Sequence, residues 1–139
     1  MKTYLTIALG LVGIAGLSSC TKEYYGAPPS RTFIYTVQPA DWAWDNGVLN
    51  QIYHDIDLPE LTDYYVDQGV VSVSLSVDNE VSYNILPATI GGTSYSVNYT
   101  TGLVTIYAED PIFDPDYEVP IPDRTIKIKI TLSDADYIP

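Results

Sequence analysis

Cysteine and histidine each occur only once in this 139-residue chain, as Cys20 and His54. A disulfide within the chain is therefore excluded, and the fold has to be held together by core packing. Acid–base catalysis and transition-metal binding both favour histidine, and a single histidine within a predicted strand is more often structural. The sequence also lacks Gly-x-Ser-x-Gly, His-Glu-x-x-His and any glycine-rich phosphate loop. These absences argue against most enzymes, and we expect no catalytic residue and no cofactor.

Glycoside hydrolysis is left open by residue type, because carboxylate pairs are plentiful. Such a pair needs a cleft, however, and a domain of about 100 residues has little material from which to build one. The sequence therefore favours a non-enzymatic protein.

Basic residues are also scarce, since 6 Lys and Arg face 18 Asp and Glu and the formal net charge is −12. Nucleic acid would be repelled by this charge. Electrostatic adhesion to anionic lipid is disfavoured for the same reason, and solubility is the simplest role of the charge. We expect no nucleic-acid partner.

Residues 4–17 are mostly apolar and carry no formal charge, but this run is too short to span a bilayer, which needs roughly 20 apolar residues. It follows Lys2 and precedes Ser18 and Ser19, and these are the three parts of a secretory signal. Residues 17–20, Leu-Ser-Ser-Cys, resemble the lipobox of bacterial lipoproteins. That resemblance implies cleavage before Cys20, a diacylglyceryl group on its thiol and a further acyl chain, such as palmitate, on its amine. Two or more acyl chains give stable membrane anchoring.

The sequence thus predicts three segments: a cleaved signal helix at 1–19, a lipidated tether at 20–30 and a β-sandwich domain at 31–139. Loss of Lys2 with the signal changes the formal net charge from −12 to −13. No aspartate follows Cys20, which by the bacterial sorting rule indicates the outer membrane. Lys22-Glu23 resembles the signals of surface-exposed lipoproteins. We therefore predict a lipid-anchored, surface-exposed protein of the outer membrane.

The domain alternates apolar and polar residues over short runs that are separated by turn residues, which is typical of β-strands. The predicted strands are 31–38, 51–57, 70–77, 80–86, 93–99, 103–108 and 124–132. The last run points Lys127 and Lys129 outward, as an exposed edge strand would. About seven such strands predict an all-β fold, an immunoglobulin-like antiparallel sandwich.

Three connections are predicted as well. Asp78-Asn79 favours a tight hairpin, which would place Val81, Tyr83 and Ile85 on one face of the next strand. Residues 100–102 predict a second turn. Residues 58–69 have helical apolar spacing, so we expect one or two helical turns that cross between the sheets.

Two groups of side chains are candidate binding residues. Trp42 and Trp44 share a face of an extended chain and are candidates for stacking on sugar rings, whereas packing in the core or at its rim is the commoner role of tryptophan. Residues 109–118 contain five carboxylates, and hard cations such as Ca²⁺ bind such oxygens. Because the loop does not match the EF-hand spacing, a solvated loop is the alternative to a weak calcium site. The calcium candidates are Asp110, Asp114, Asp116 and Glu118.

The order of these features resembles a family of small outer-membrane lipoproteins of Bacteroidota with a β-sandwich domain. Members share a tryptophan after the first strand, here Trp42, and a hydrophobic-Leu-Pro step, here residues 85–87. They also share a V-x-D-x-G-x-V-x-V stretch, which residues 66–73 match in part, with Val71 rather than Val70 at the spacing of the pattern. The resemblance covers most of residues 31–132. It implies the fold and the envelope location and brings no activity with it.

The leading hypothesis is a non-enzymatic interaction or structural module of the cell envelope with a protein or glycan partner. One alternative is a glycan-binding subunit of an uptake system that uses Trp42 and Trp44. Another is a fimbrial or adhesin subunit, in which a strand would be removed or exchanged.

Overall fold

A computed structural model describes residues 29–45, 48–114 and 116–139, except for the side chains of Val48 and Leu49. The predicted signal at 1–19, Cys20 and all of the 20–30 tether except Pro29 and Ser30 lie outside these residues.

Two antiparallel sheets enclose one hydrophobic core. The strands are β1 (Ser30–Val37), β2 (Ala43–Asp45), β3 (Val48–Asp57), β4 (Val70–Ser76), β5 (Asn84–Ile85), β6 (Ala88–Ile90), β7 (Thr93–Thr100), β8 (Leu103–Glu109) and β9 (Ile126–Ser133). The first sheet has the order β1-β9-β4-β5 and the second has the order β2-β3-β8-β7-β6. The all-β sandwich is thus confirmed. The sequence missed β2 and β6 because three residues are too few to show an alternating pattern.

Strand β9 shows most clearly how the alternating sequence makes the core. All four of its apolar residues, Ile126, Ile128, Ile130 and Leu132, are fully buried. Yet β9 lies between β1 and β4 in the middle of its sheet, so the edge position suggested by its lysines is wrong. The lysines are accommodated on the outer face instead: Lys127 Nζ donates to Thr36 Oγ1 at 2.7 Å, and Lys129 Nζ lies 3.8 Å from the centre of the Tyr83 ring.

The predicted tight hairpin at Asp78-Asn79 is replaced by a longer loop. Strand β5 has only two residues, which pair with Ser74 and Leu75. Val81 and Ile85 are 85% and 74% exposed, so the prediction that they share an inner face is wrong. The reason is local, because the Asp78 carboxylate accepts hydrogen bonds from the backbone and side chain of Ser82 and holds the chain in a turn.

The helical crossover is confirmed. Helix α1 (Asp63–Asp67) connects β3 in one sheet to β4 in the other. The predicted turn at residues 100–102 is confirmed too, since Thr100 pairs with Leu103 and Gly102 has a φ of +77°. In the described part of the chain, no helix is long and apolar enough to cross a membrane.

The register defines two ends of the sandwich. At one end, which we call the closed end, Ser133 pairs with both Ser30 and Val70, and α1 bridges the two sheets. At the other, the open end, Val37 pairs with Ile126 and Ser76 pairs with Lys127. The seven residue steps along β1 separate the ends by about 23 Å. Strand β1 therefore begins at the closed end.

Candidate functional site: a cleft at the open end

A cleft with a volume of about 430 Å³ lies between the two sheets at the open end. Val77 and Ile126 line it from the first sheet, Ile90 and Tyr95 from the second, and residues 120–124 lie along it just before β9. Ligand pockets in proteins usually measure about 300 to 1,000 Å³, so this cleft is large enough for a small ligand.

Tyr95 is an aromatic residue of the cleft that is almost completely buried, with 5% of its surface exposed. Its hydroxyl makes no hydrogen bond to another described residue. It is nevertheless not fully buried, because among the described residues Trp42 Nε1 is the only fully buried side-chain polar atom without a partner. The Tyr95 hydroxyl is therefore accessible through the cleft that the residue lines. Burial raises its pKa, and the nearby positive charge of Arg124 partly opposes this rise. At neutral pH the phenol keeps its proton and can donate it in a hydrogen bond.

Arg124 is the cation of the cleft. Its side chain is 62% exposed, and its Nε lies 3.5 Å from Oδ1 of Asp123, whose side chain is 90% exposed. Exposed ion pairs of this kind contribute little and open easily. The rest of the guanidinium fork is therefore available to an anion in the cleft.

Trp42 lies in the core and offers no surface to a sugar, since it is 6% exposed. Its ring centre lies 6.4 Å from that of Tyr95 and 6.3 Å from that of His54. The burial of Trp42 favours core packing, the alternative role, over stacking on a sugar. Trp44 in β2 is half-buried and packs against the same core.

His54 has a structural role. Its Nδ1 lies within hydrogen-bond distance, 3.1 Å, of the carbonyl oxygen of Asp41. This contact ties β3 to the single 3-10 turn, Pro39–Asp41, that follows β1.

The acidic segment 109–118 is organised by its own carboxylates. Asp110 is 6% exposed, and its Oδ2 accepts a hydrogen bond from the backbone N–H of Asp114 at 2.9 Å. Asp114 Oδ1 in turn accepts one from the backbone N–H of Asp116 at 3.0 Å. Among residues 29–45, 48–114 and 116–139, no three His, Cys, Asp or Glu side chains are grouped so that they could hold a metal ion. The structure therefore does not bring the calcium candidates, Asp110, Asp114, Asp116 and Glu118, together into a site.

Asp78 carries the largest carboxylate pKa shift at the open end. The hydrogen bonds from Ser82, together with one from Ser76 Oγ at 2.8 Å, lower its pKa to about 2. Its role is to shape the loop between β4 and β5.

The sequence analysis did not find the cleft, because its walls come from elements far apart in the chain. One signal was available in the composition. Arg124 is the first basic residue after Arg31, so the long stretch between them carries acidic residues and no Lys or Arg. No protein-family model, curated protein or solved structure matches this chain.

Proposed function

We propose that the protein is a lipid-anchored lipoprotein of the bacterial outer membrane that acts as a non-enzymatic interaction module. The observation that carries this proposal is Cys20, the only cysteine, placed at the end of Leu17-Ser18-Ser19-Cys20 directly after a secretory signal. The resemblance to Bacteroidota lipoproteins supports the same location.

The arrangement of the two ends supports a role in binding. The carbonyl oxygen of Pro29 accepts a hydrogen bond of 2.8 Å from the backbone N–H of Asp134, so the chain enters the domain beside the end of β9. The lipid would therefore be joined to the closed end, while the cleft at the open end is left free to meet a partner.

Metabolic labelling with palmitate in the native host tests the anchor. We expect label in the wild-type chain and in Ser19→Ala, which keeps a small residue before the cysteine. Cys20→Ala should carry no label because the acceptor thiol is gone. An unlabelled wild-type chain, or a labelled Cys20→Ala chain, would contradict the proposal.

The glycan-binding alternative is weakened by the burial of Trp42, which leaves Trp44 as its one tryptophan candidate. A glycan array with the wild-type chain and Trp44→Ala decides it. The fimbrial alternative requires a strand that can be exchanged, and a stable monomer that does not assemble would count against it.

A further inference from the structure

We propose that the cleft at the open end binds an apolar carboxylate, a small ligand whose carboxylate contacts Arg124 and Tyr95 and whose apolar group lies against Val77 and Ile90. This inference rests on the proposed function, because it names the ligand class for the same interaction module. The last residue of a peptide and a short fatty acid share this chemistry.

Aliphatic side chains form much of the wall of the cleft. Val77 and Ile90 are half-buried and Ile121 is 40% exposed, so these three side chains offer apolar surface to a ligand. An aliphatic group in the cleft would remove more of this surface from water, which is favourable in proportion to the apolar area covered.

The carboxylate of the ligand would be bound by a guanidinium and a neutral phenol. Arg124 offers several N–H donors in a planar fork that matches a carboxylate, and among the described residues its only ion pair is the exposed one with Asp123. Tyr95 is 5% exposed, and its hydroxyl has no partner among the described residues. A ligand carboxylate would give this hydroxyl an acceptor and give the guanidinium an anion.

The size and the lining of the cleft disfavour the main competing ligand, a sugar polymer. Sugars are usually held by an exposed aromatic face. Among the described residues that line the cleft, Tyr95 is the only aromatic one, and it is buried with its ring centre 6.4 Å from that of Trp42. A volume of about 430 Å³ fits one aliphatic group with its carboxylate rather than a polymer.

The test is calorimetric titration of the mature lipoprotein in nanodiscs with soluble probes. N-acetyl-leucine carries both the aliphatic group and the carboxylate, and N-acetyl-leucinamide lacks the charge. We expect the amide to bind at least about tenfold more weakly than the acid, because a charge-assisted contact is lost. Hexanoate identifies the source: affinity equal to that of N-acetyl-leucine indicates a fatty acid, and weaker affinity indicates a peptide end.

Three variants locate the site. Arg124→Gln should weaken binding of N-acetyl-leucine at least about tenfold, and Tyr95→Phe, which removes only the hydroxyl, should weaken it about threefold to tenfold. Arg31→Gln removes the same charge at the closed end and should change nothing. Thermal melts establish that each variant is folded.

Two outcomes would overturn the inference: equal binding of the acid and the amide, or undiminished binding by folded Arg124→Gln. Failure to bind any probe would overturn it as well. None of these results affects the palmitate labelling, so the labelling tests the lipid anchor independently of the cleft.

Discussion

Hydrogen bonds through α1 connect the two sheets at the closed end of the sandwich, whereas the carboxylate hydrogen bonds that shape the loops of the open end are local. At the closed end the bonds join residues far apart in the chain: the Tyr64 hydroxyl donates to the carbonyl of Ala135 at 2.9 Å and accepts from its N–H at 3.0 Å. The N–H of Gly102 likewise donates to the carbonyl of Leu61 at 2.7 Å. At the open end the carboxylates of Asp78 and Asp110 bond residues four positions further on.

This difference explains how a small domain without disulfides can be tied together at one end and still have a cleft at the other. Long-range bonds at the closed end tie α1 and the β7–β8 turn together and tie the C-terminal segment to the helix. Local bonds at the open end shape individual loops without joining the sheets, so a cleft remains. The apolar side chains of Val81 and Ile112 are 85% and 83% exposed beside these local turns.

The largest expected effect is on stability, and it compares a buried side chain at the closed end with an exposed one at the open end. Leu61 at the closed end is fully buried, and Leu61→Ala should lower the free energy of unfolding by about 2–5 kcal/mol because it leaves a cavity. Ile112→Ala removes an aliphatic side chain from an exposed loop and should change stability by about 0.5 kcal/mol or less. Urea unfolding measures both. Similar losses in the two variants would contradict the comparison.

Two glycines, one beside α1 and one at the cleft, allow the same comparison of stability for the backbone. A Cβ at Gly69 would lie 2.6 Å from Cδ1 and 2.9 Å from Cα of Tyr65, so Gly69→Ala should cost about 1–3 kcal/mol through overpacking. Gly91 at the cleft has a φ of +57° and open space around it. Gly91→Asn should cost about 1 kcal/mol or less, since asparagine tolerates this conformation. Thermal unfolding would refute this account if the order of the two variants were reversed.

The smallest effect is a pH dependence confined to the open end. The pKa of Asp78 is lowered to about 2 in the folded protein from the ordinary value of 3.8, so ionised Asp78 contributes its full stabilisation above pH 3.8. The contribution is lost as the pH falls from 3.8 towards 2, because the unfolded chain takes up the proton first. We expect the Asp78 carboxyl signal in NMR to titrate near pH 2 together with the Ser82 amide. An ordinary titration midpoint would show that these hydrogen bonds do not form, and Asp78→Asn should abolish the Ser82 response.

Sequence reasoning succeeded where burial alone decides the pattern. The isoleucines of β9 alternate because one face is in the core, and the spacing of residues 58–69 shows a helix for the same reason. It failed where a single side chain overrides the pattern, as when Asp78 holds Ser82 in a turn and leaves Val81 exposed. It could not find the cleft either, because the proximity of Tyr95 and Arg124 depends on how two sheets meet.

Hydrogen exchange of single backbone amides tests most directly whether one end stabilises the domain while the other stays free to bind. The N–H groups of Leu58 and Gly102, bonded across the closed end at 2.9 and 2.7 Å, should exchange only when the whole domain unfolds. Those of Ser82 and Asp114, each bonded at 2.9 Å to a carboxylate four residues earlier, should exchange through local opening on the order of 100-fold faster or more. Equal protection at all four amides would contradict the account.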